Sequence, residues 1–388
     1  MFIEILPYFI LSFVFLLVAH GIAKYNRFYA QFLAGGVKSR YDCLDGLRGF
    51  LALGVFFAHG IVMLQYYKTG TWTIPPIPFY TILAEMAVAL FFMISGFLFW
   101  GKVLASESGM PAIRLYRSRF ARLTPLYVFS VLLVFLIVAV RTDFQLNVTV
   151  LELMKQGVSW LSFGFLGIPP PDINGLKDTY TMQSIIWTLT FEWEFYLLLP
   201  LLSRLPFRTP MVIILMFLAG YLASLVIPVG IILACFGLGA LAAALMKRGV
   251  LDGRLGNSAR TSLLAILILG VVFLGFDDAH GIPQYLVAFL FFMLILNGID
   301  LFGLLRSRAA ILLGTLSYSI YLLHNIVLYV VFLAYHQFQD AGQVSYLTFW
   351  GLVGLSGLLA ILFSLISYRY IEHPFLAKKT SHYSRPPG

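Results

Sequence analysis

Hydrophobic residues in this chain come in long unbroken runs, separated by short segments that carry most of the charge, Gly and Pro. An α-helix needs roughly 20 apolar residues to cross about 30 Å of hydrocarbon. Eleven runs approach that length. They extend approximately from Ile3 to Ala23, Leu47 to Gln65, Phe79 to Trp100, Leu123 to Val140, Ile185 to Leu202, Met211 to Val226, Gly230 to Met246, Thr261 to Phe276, Pro283 to Ile299, Ala309 to Leu333 and Tyr346 to Tyr368. The pattern predicts an all-α integral membrane protein of about eleven transmembrane helices.

The first run begins like a signal peptide, but it lacks a basic start, carries Glu4, and is followed by Lys24 and Arg27 without a small-residue cleavage site. It is expected to remain as a helix. Only one loop on the N-terminal side of the membrane is long, from Arg141 to about Ser184, and its Trp160, Phe163, Phe165 and Pro169-Pro170-Pro171 suggest a segment folded back onto the membrane. No internal repeat of fixed period is visible, which gives no support to an inverted-repeat transporter.

Composition fits this picture. Of 388 residues, 60% are hydrophobic and 11% charged, against about 25% charged in soluble domains. A soluble enzyme, a disordered scaffold and a disulfide framework are excluded. Cys43 and Cys235 sit in no metal-binding spacing, and no structural metal is expected. The net charge of +9 raises nucleic acid as a partner. Its distribution answers otherwise: with loops numbered alternately, 22 of the 26 Lys and Arg fall on one side of the membrane and 4 (Lys68, Arg141, Lys155 and Lys177) on the other. The positive-inside rule then places the N-terminus outside and the C-terminus in the cytoplasm, so the basic charge reflects topology and no nucleic-acid partner is expected.

Ionisable groups within the runs are few, and each is costly there. Arg48 and His59 are eleven positions apart, which brings them within about 20° of one helix face and about 16 Å apart along the axis. Asp45, at i−3, can orient the Arg48 guanidinium. Glu85 and Glu192 fall by helical rise at depths similar to that of His59, where a carboxylate would orient the imidazole. Tyr196 shares a face with Glu192 at i+4, whereas Glu194 points about 200° away. Ser317, Tyr321 and His324 form a second polar stripe, with Tyr318 alongside.

A neutral imidazole with a carboxylate partner suits a general base acting on a hydroxyl. Neighbouring arginines, including Arg114, Arg117, Arg119 and Arg122, suit a phosphorylated cytosolic donor. The bland readings are helix packing for the buried groups and topology for the arginines. The His336–Asp340 spacing matches an H-x-x-x-D acyltransfer spelling but stands in an isolated loop, and His20 and His280 read as interfacial residues.

These residues carry a resemblance. Leu44-Asp45-Gly46-Leu47-Arg48-Gly49, followed by His59, resembles the opening signature of membrane-bound acyltransferase family 3, the bacterial carbohydrate O-acyltransferases. Phe91-Phe92-Met93-Ile94-Ser95-Gly96-Phe97, Arg119-Phe120-Ala121-Arg122-Leu123-Thr124-Pro125-Leu126-Tyr127 and Trp187 to Tyr196 resemble its following motifs in the same order. Ser317 to His324 and Tyr370-Ile371-Glu372-His373-Pro374-Phe375 resemble its closing segments.

The resemblance implies a ten-helix core over residues 41–376, preceded by an extra helix and basic linker (1–40) and followed by a short cytoplasmic tail (377–388). It implies acetyl-CoA or another acyl-CoA as donor and a hydroxyl of a surface glycan or its lipid-linked precursor as acceptor. The setting is the bacterial cytoplasmic membrane, with membrane lipid as a further partner. Catalysis then rests on His59 as base, Arg48 aligning the donor and Glu192 orienting His59. Arg119, Arg122, Ser95 and Tyr127 hold the donor. Trp187, Tyr196, Tyr321, His324 and Glu85 meet the acceptor, with Asp45 in support. The SGNH hydrolase-like domain of some family members is absent from this sequence. The competing reading is a proton-coupled transporter or flippase of lipid-linked sugars, in which His59 and Glu192 relay protons; a non-catalytic assembly subunit is weaker.

Overall fold

The computed structural model describes residues 2–35, 42–106, 110–205, 208–226, 228–250 and 256–376. Lys38, Arg40, Arg254, Lys378, Lys379, Arg385 and the tail 377–388 lie outside them. The described residues form fourteen α-helices and no named strand. In order these are α1 (Phe2–Tyr25), α2 (Arg27–Gly35), α3 (Asp42–Thr69), α4 (Pro78–Ala105), α5 (Ala112–Arg141), α6 (Val150–Leu161) and α7 (Ile186–Leu202). They continue with α8 (Arg208–Ser224), α9 (Ala234–Lys247), α10 (Ala259–Gly275), α11 (Ile282–Leu296), α12 (Arg308–Thr315), α13 (Ser317–His336) and α14 (Tyr346–Ser367).

Every one of the apolar runs contains a helix, as an all-α integral membrane protein requires. Among the described residues, seven helices are long and apolar enough to cross a membrane, and three shorter apolar ones cover Thr209–Ser224, Ala259–Gly275 and Ile282–Leu296. Two details differ from the sequence reading. The run from Ala309 to Leu333 is two helices, α12 and α13, broken at Leu316. The Thr315 hydroxyl donates to the Ile311 carbonyl at 2.9 Å, a local bond that competes with helix propagation. The last run ends in a π-helical turn, Tyr368–Glu372, which buries Tyr368 and Glu372.

The chain divides into two compact units. The first comprises Met1–Ile61, Ile74–Met110 and Leu198–Ser317; the second comprises Val62–Thr73, Pro111–Leu197 and Tyr318–Gly388. Helix α3 begins in the first and ends in the second.

Glycine decides the packing of the first unit. A Cβ at Gly96 of α4 would fall on the Phe236 carbonyl of α9, and one at Gly239 of α9 on the Met93 carbonyl of α4. The two backbones therefore touch, and Phe92 stacks on Phe236 with ring centroids 4.5 Å apart. Small residues at such crossings are how membrane helices gain packing contact without a hydrophobic driving force. The start of α3 is seated likewise: a Cβ at Gly46 would meet the Leu305 carbonyl, and one at Gly314 of α12 the Asp45 carbonyl.

In the second unit the segment between α5 and α7 folds back against α5. Thr149 caps α6 by accepting from the Glu152 N–H at 3.2 Å. Asn174 donates to the Thr142 hydroxyl at 3.1 Å and to the Gln145 carbonyl at 2.8 Å near the end of α5. Farther along, the Tyr127 hydroxyl donates to the Trp160 carbonyl at 2.6 Å, and the Trp160 indole to the Pro171 carbonyl at 2.8 Å. Tyr127 lies about 21 Å before the Arg141 end of α5. The segment therefore does not merely rest on the membrane surface; it descends along α5, with its irregular backbone held by protein groups as hydrocarbon surroundings demand. The Tyr180 hydroxyl of this segment donates to the Ser184 carbonyl at 2.8 Å.

Candidate functional site

Helix α3 is buried almost all round. Between Cys43 and Met63 only Asp45, Arg48, Phe50 and His59 are not fully buried. Polar groups in such a helix stand out by necessity: Phe56, Phe57 and Ala58, immediately before His59, are at most 1% exposed. The two glycines of the opening signature, Gly46 and Gly49, press on neighbouring backbone and explain its small residues. Arg48 reaches toward Asp45 with Nη1 3.8 Å from Oδ1, in the orientation expected from their i, i+3 spacing. Ser95, half-buried on α4, precedes the Gly96 crossing in the same unit.

Glu85 of α4 also lies in the first unit. Its carboxylate accepts the Ala279 backbone N–H, and its Oε1 lies 2.7 Å from the His280 Nδ1. Glu85 thus anchors the turn before α11. His280, read from sequence as an interfacial residue, is the partner that reasoning by depth could not supply, since the two are far apart along the chain.

The second unit collects the other candidates. On α7, the Tyr196 hydroxyl donates to the Glu192 carboxylate. Arg119 of α5 lies over the Tyr196 ring, its guanidinium carbon 5.6 Å from the centroid. On α13, the Tyr321 hydroxyl lies 2.8 Å from that of Thr188. Because Thr188 already donates to the Ile185 carbonyl, Tyr321 supplies the proton. His324 is fully buried, with Nδ1 3.0 Å from the Ile320 carbonyl, an arrangement that favours a proton on Nδ1. Trp187 packs edge-on against Phe191 at 5.9 Å. Tyr127 is fully buried, stacked on Phe163 at 4.0 Å and bonded to the Trp160 carbonyl.

A further pair belongs to this group. Tyr318 donates to the Leu123 carbonyl at 2.7 Å. Glu372, 2% exposed, accepts from Ser319. These two bonds tie α13 to α5 and to the π-helical turn. Glu372 was visible only as part of a closing motif; that its side chain turns inward depends on the π-helical turn, and such insertions recur at functional sites.

Three of the four donor candidates, Arg119, Arg122 and Tyr127, are in the second unit, and Ser95 is in the first. Arg48, Asp45, His59 and Glu85 are in the first unit; Glu192, Trp187, Tyr196, Tyr321 and His324 are in the second. Among the described residues no cluster of three or more His, Cys, Asp or Glu is placed to hold a metal ion.

The acyltransferase-3 family model, described as an acyltransferase domain, matches residues 41–369. Over 182 residues the chain is 30% identical to the acyltransferase MdmB of Streptomyces mycarofaciens, which covers 44% of this chain and 41% of that relative. The match thus spans less than half of the relative's length. No solved structure matches the chain.

Proposed function

Because the chain belongs to the acyltransferase-3 family of membrane acyltransferases, we propose that it moves an acyl group, acetyl in the simplest case, from cytoplasmic acyl-CoA to a hydroxyl of a cell-surface glycan or its lipid-linked precursor. The observation that carries this reading is the exposure pattern of α3. A helix packed on nearly every side keeps an imidazole and a guanidinium partly open, eleven residues apart and on one face. Retaining both in a membrane span is expensive unless they are used.

In this reading the His59 imidazole, neutral at the outset, removes the proton of the acceptor hydroxyl. The oxygen attacks the thioester carbonyl, the C–O bond forms as the C–S bond breaks, and the proton passes to the departing sulfur. Arg48, steadied by Asp45, aligns the donor. Arg119 and Arg122 take its phosphates by bidentate hydrogen bonds, with Ser95 and Tyr127 as further donor residues. Glu192, bonded to Tyr196, is the carboxylate assigned to the reaction. Trp187, Tyr196, Tyr321, His324 and Glu85 are assigned to the acceptor. The basic side is cytoplasmic by the positive-inside rule, and the membrane is the bacterial inner membrane.

The test is acetyl transfer by the purified full-length protein from labelled acetyl-CoA to a glycan acceptor. Label in the glycan, lost in His59→Ala, supports the reading. Movement of lipid-linked sugar across liposomes without consumption of acyl-CoA supports the transporter instead.

A further inference from the structure

A groove of about 910 Å³ lies wholly within the second unit, between α5, the end of α7 and the π-helical turn after α14. Its floor on α5 is the stripe Arg117, Ala121, Thr124 and Val128, at successive helical spacings of four, three and four. Its rim is apolar and open: Phe120, Phe129, Leu132 and Leu197 are 58%, 36%, 60% and 47% exposed. On a chain that spans a membrane, such a rim faces acyl chains.

Two further observations say what fills it. Arg117 is exposed and is the one charged residue in the lining, and it makes no ion pair or hydrogen bond with the described residues. From Arg117 to Leu132 the helix rises about 22 Å. That is close to half of the roughly 40–45 Å thickness of a bilayer with its headgroups, so the groove is as long as one leaflet is deep.

The geometry points to a phospholipid site: the groove holds an acyl chain of an anionic glycerophospholipid from the leaflet on the arginine-bearing side, with the lipid phosphate on Arg117. Phosphate meets the unpartnered guanidinium, and the chain runs out past Val128 toward Leu132 along an apolar lining. A longer isoprenoid chain would overrun a groove of one-leaflet length. Trp193 and Ile371, which line the groove, adjoin Glu192 and Glu372 in sequence. The assignment stands apart from the choice of acyl donor or acceptor.

Native mass spectrometry of the full-length protein in mild detergent, titrated with phosphatidylglycerol or phosphatidylethanolamine, tests it. The expected result is one tightly held phosphatidylglycerol per chain, preferred over phosphatidylethanolamine. Arg117→Gln weakens that binding about five-fold, the effect of one basic residue near an anionic headgroup. Ala121→Trp, which fills the groove, abolishes it, while Lys155→Gln, at an exposed position of α6, leaves it unchanged. Should Ala121→Trp fail to fold, the exposed Arg117→Gln still decides. Equal retention of the two lipids, unchanged phosphatidylglycerol binding by Arg117→Gln, or a co-purified isoprenoid phosphate that phosphatidylglycerol does not displace would each overturn the assignment.

Discussion

The Tyr196 hydroxyl donates its hydrogen bond to the Glu192 carboxylate one turn away on α7, and Tyr196 is itself only 1% exposed. An i, i+4 pair on one helix keeps this geometry wherever its neighbours move. Tyr196→Phe removes the donor and leaves the ring. It is expected to lower acyl transfer, whereas Glu192→Gln lowers it further, toward the about 10²–10⁴-fold typical of a lost acid–base group. Initial rates in isolated membranes with labelled acetyl-CoA distinguish the two. Full activity in both variants would remove Glu192 from the reaction.

Arg48 differs from lysine in presenting a planar fork. If it aligns a phosphorylated donor, Arg48→Lys raises KM for acyl-CoA well above the wild-type value, since a lysine cannot pair bidentately. Steady-state kinetics in the two substrates separately is the check; an effect confined to the acceptor would place Arg48 elsewhere in the site.

The α4–α9 crossing makes a prediction independent of function. Gly96→Ala and Gly239→Ala drive a methyl group into facing backbone and should each cost about 1–3 kcal/mol. Gly101, also on α4, has nothing within 4 Å of an added Cβ. Gly101→Ala is expected to leave Tm unchanged or to raise it, since glycine costs up to about 1 kcal/mol in a helix. Thermal unfolding in detergent compares all three, and equal shifts would contradict the close crossing.

Glu85 offers a way to separate anchoring from binding. Glu85→Gln keeps an oxygen for the Ala279 N–H, while Glu85→Ala leaves that donor unmatched. The alanine variant should lose about 1–3 kcal/mol of stability, and glutamine most of that less. Melting temperatures that fall equally would show that the His280 contact, rather than the backbone bond, holds the turn.

Much of this molecule was legible in its sequence, because a span must declare itself by an uninterrupted apolar run and because polar groups are scarce inside one. The Glu192–Tyr196 pair followed from helical spacing alone. The break at Leu316 did not, since apolar residues continue on both sides and a backbone kink leaves no compositional trace. The descent of the segment after α5 was hidden for a related reason: Tyr127 and Trp160 look like ordinary aromatic bulk until the fold joins hydroxyl to carbonyl. Glu372 and His280 were missed because an inward-facing π-helical turn and a pairing across distant helices are tertiary facts. The glycines of the opening signature read as part of a chemical motif, yet Gly46 and Gly49 serve close packing.

The most direct measurement is single-turnover transfer of labelled acetyl from acetyl-CoA to a glycan acceptor by full-length protein in proteoliposomes, wild type against His59→Ala. The account predicts labelled ester in the wild type and a rate at least about 10²-fold lower in the variant, with unchanged folding by thermal melt. Undiminished transfer by His59→Ala would contradict it.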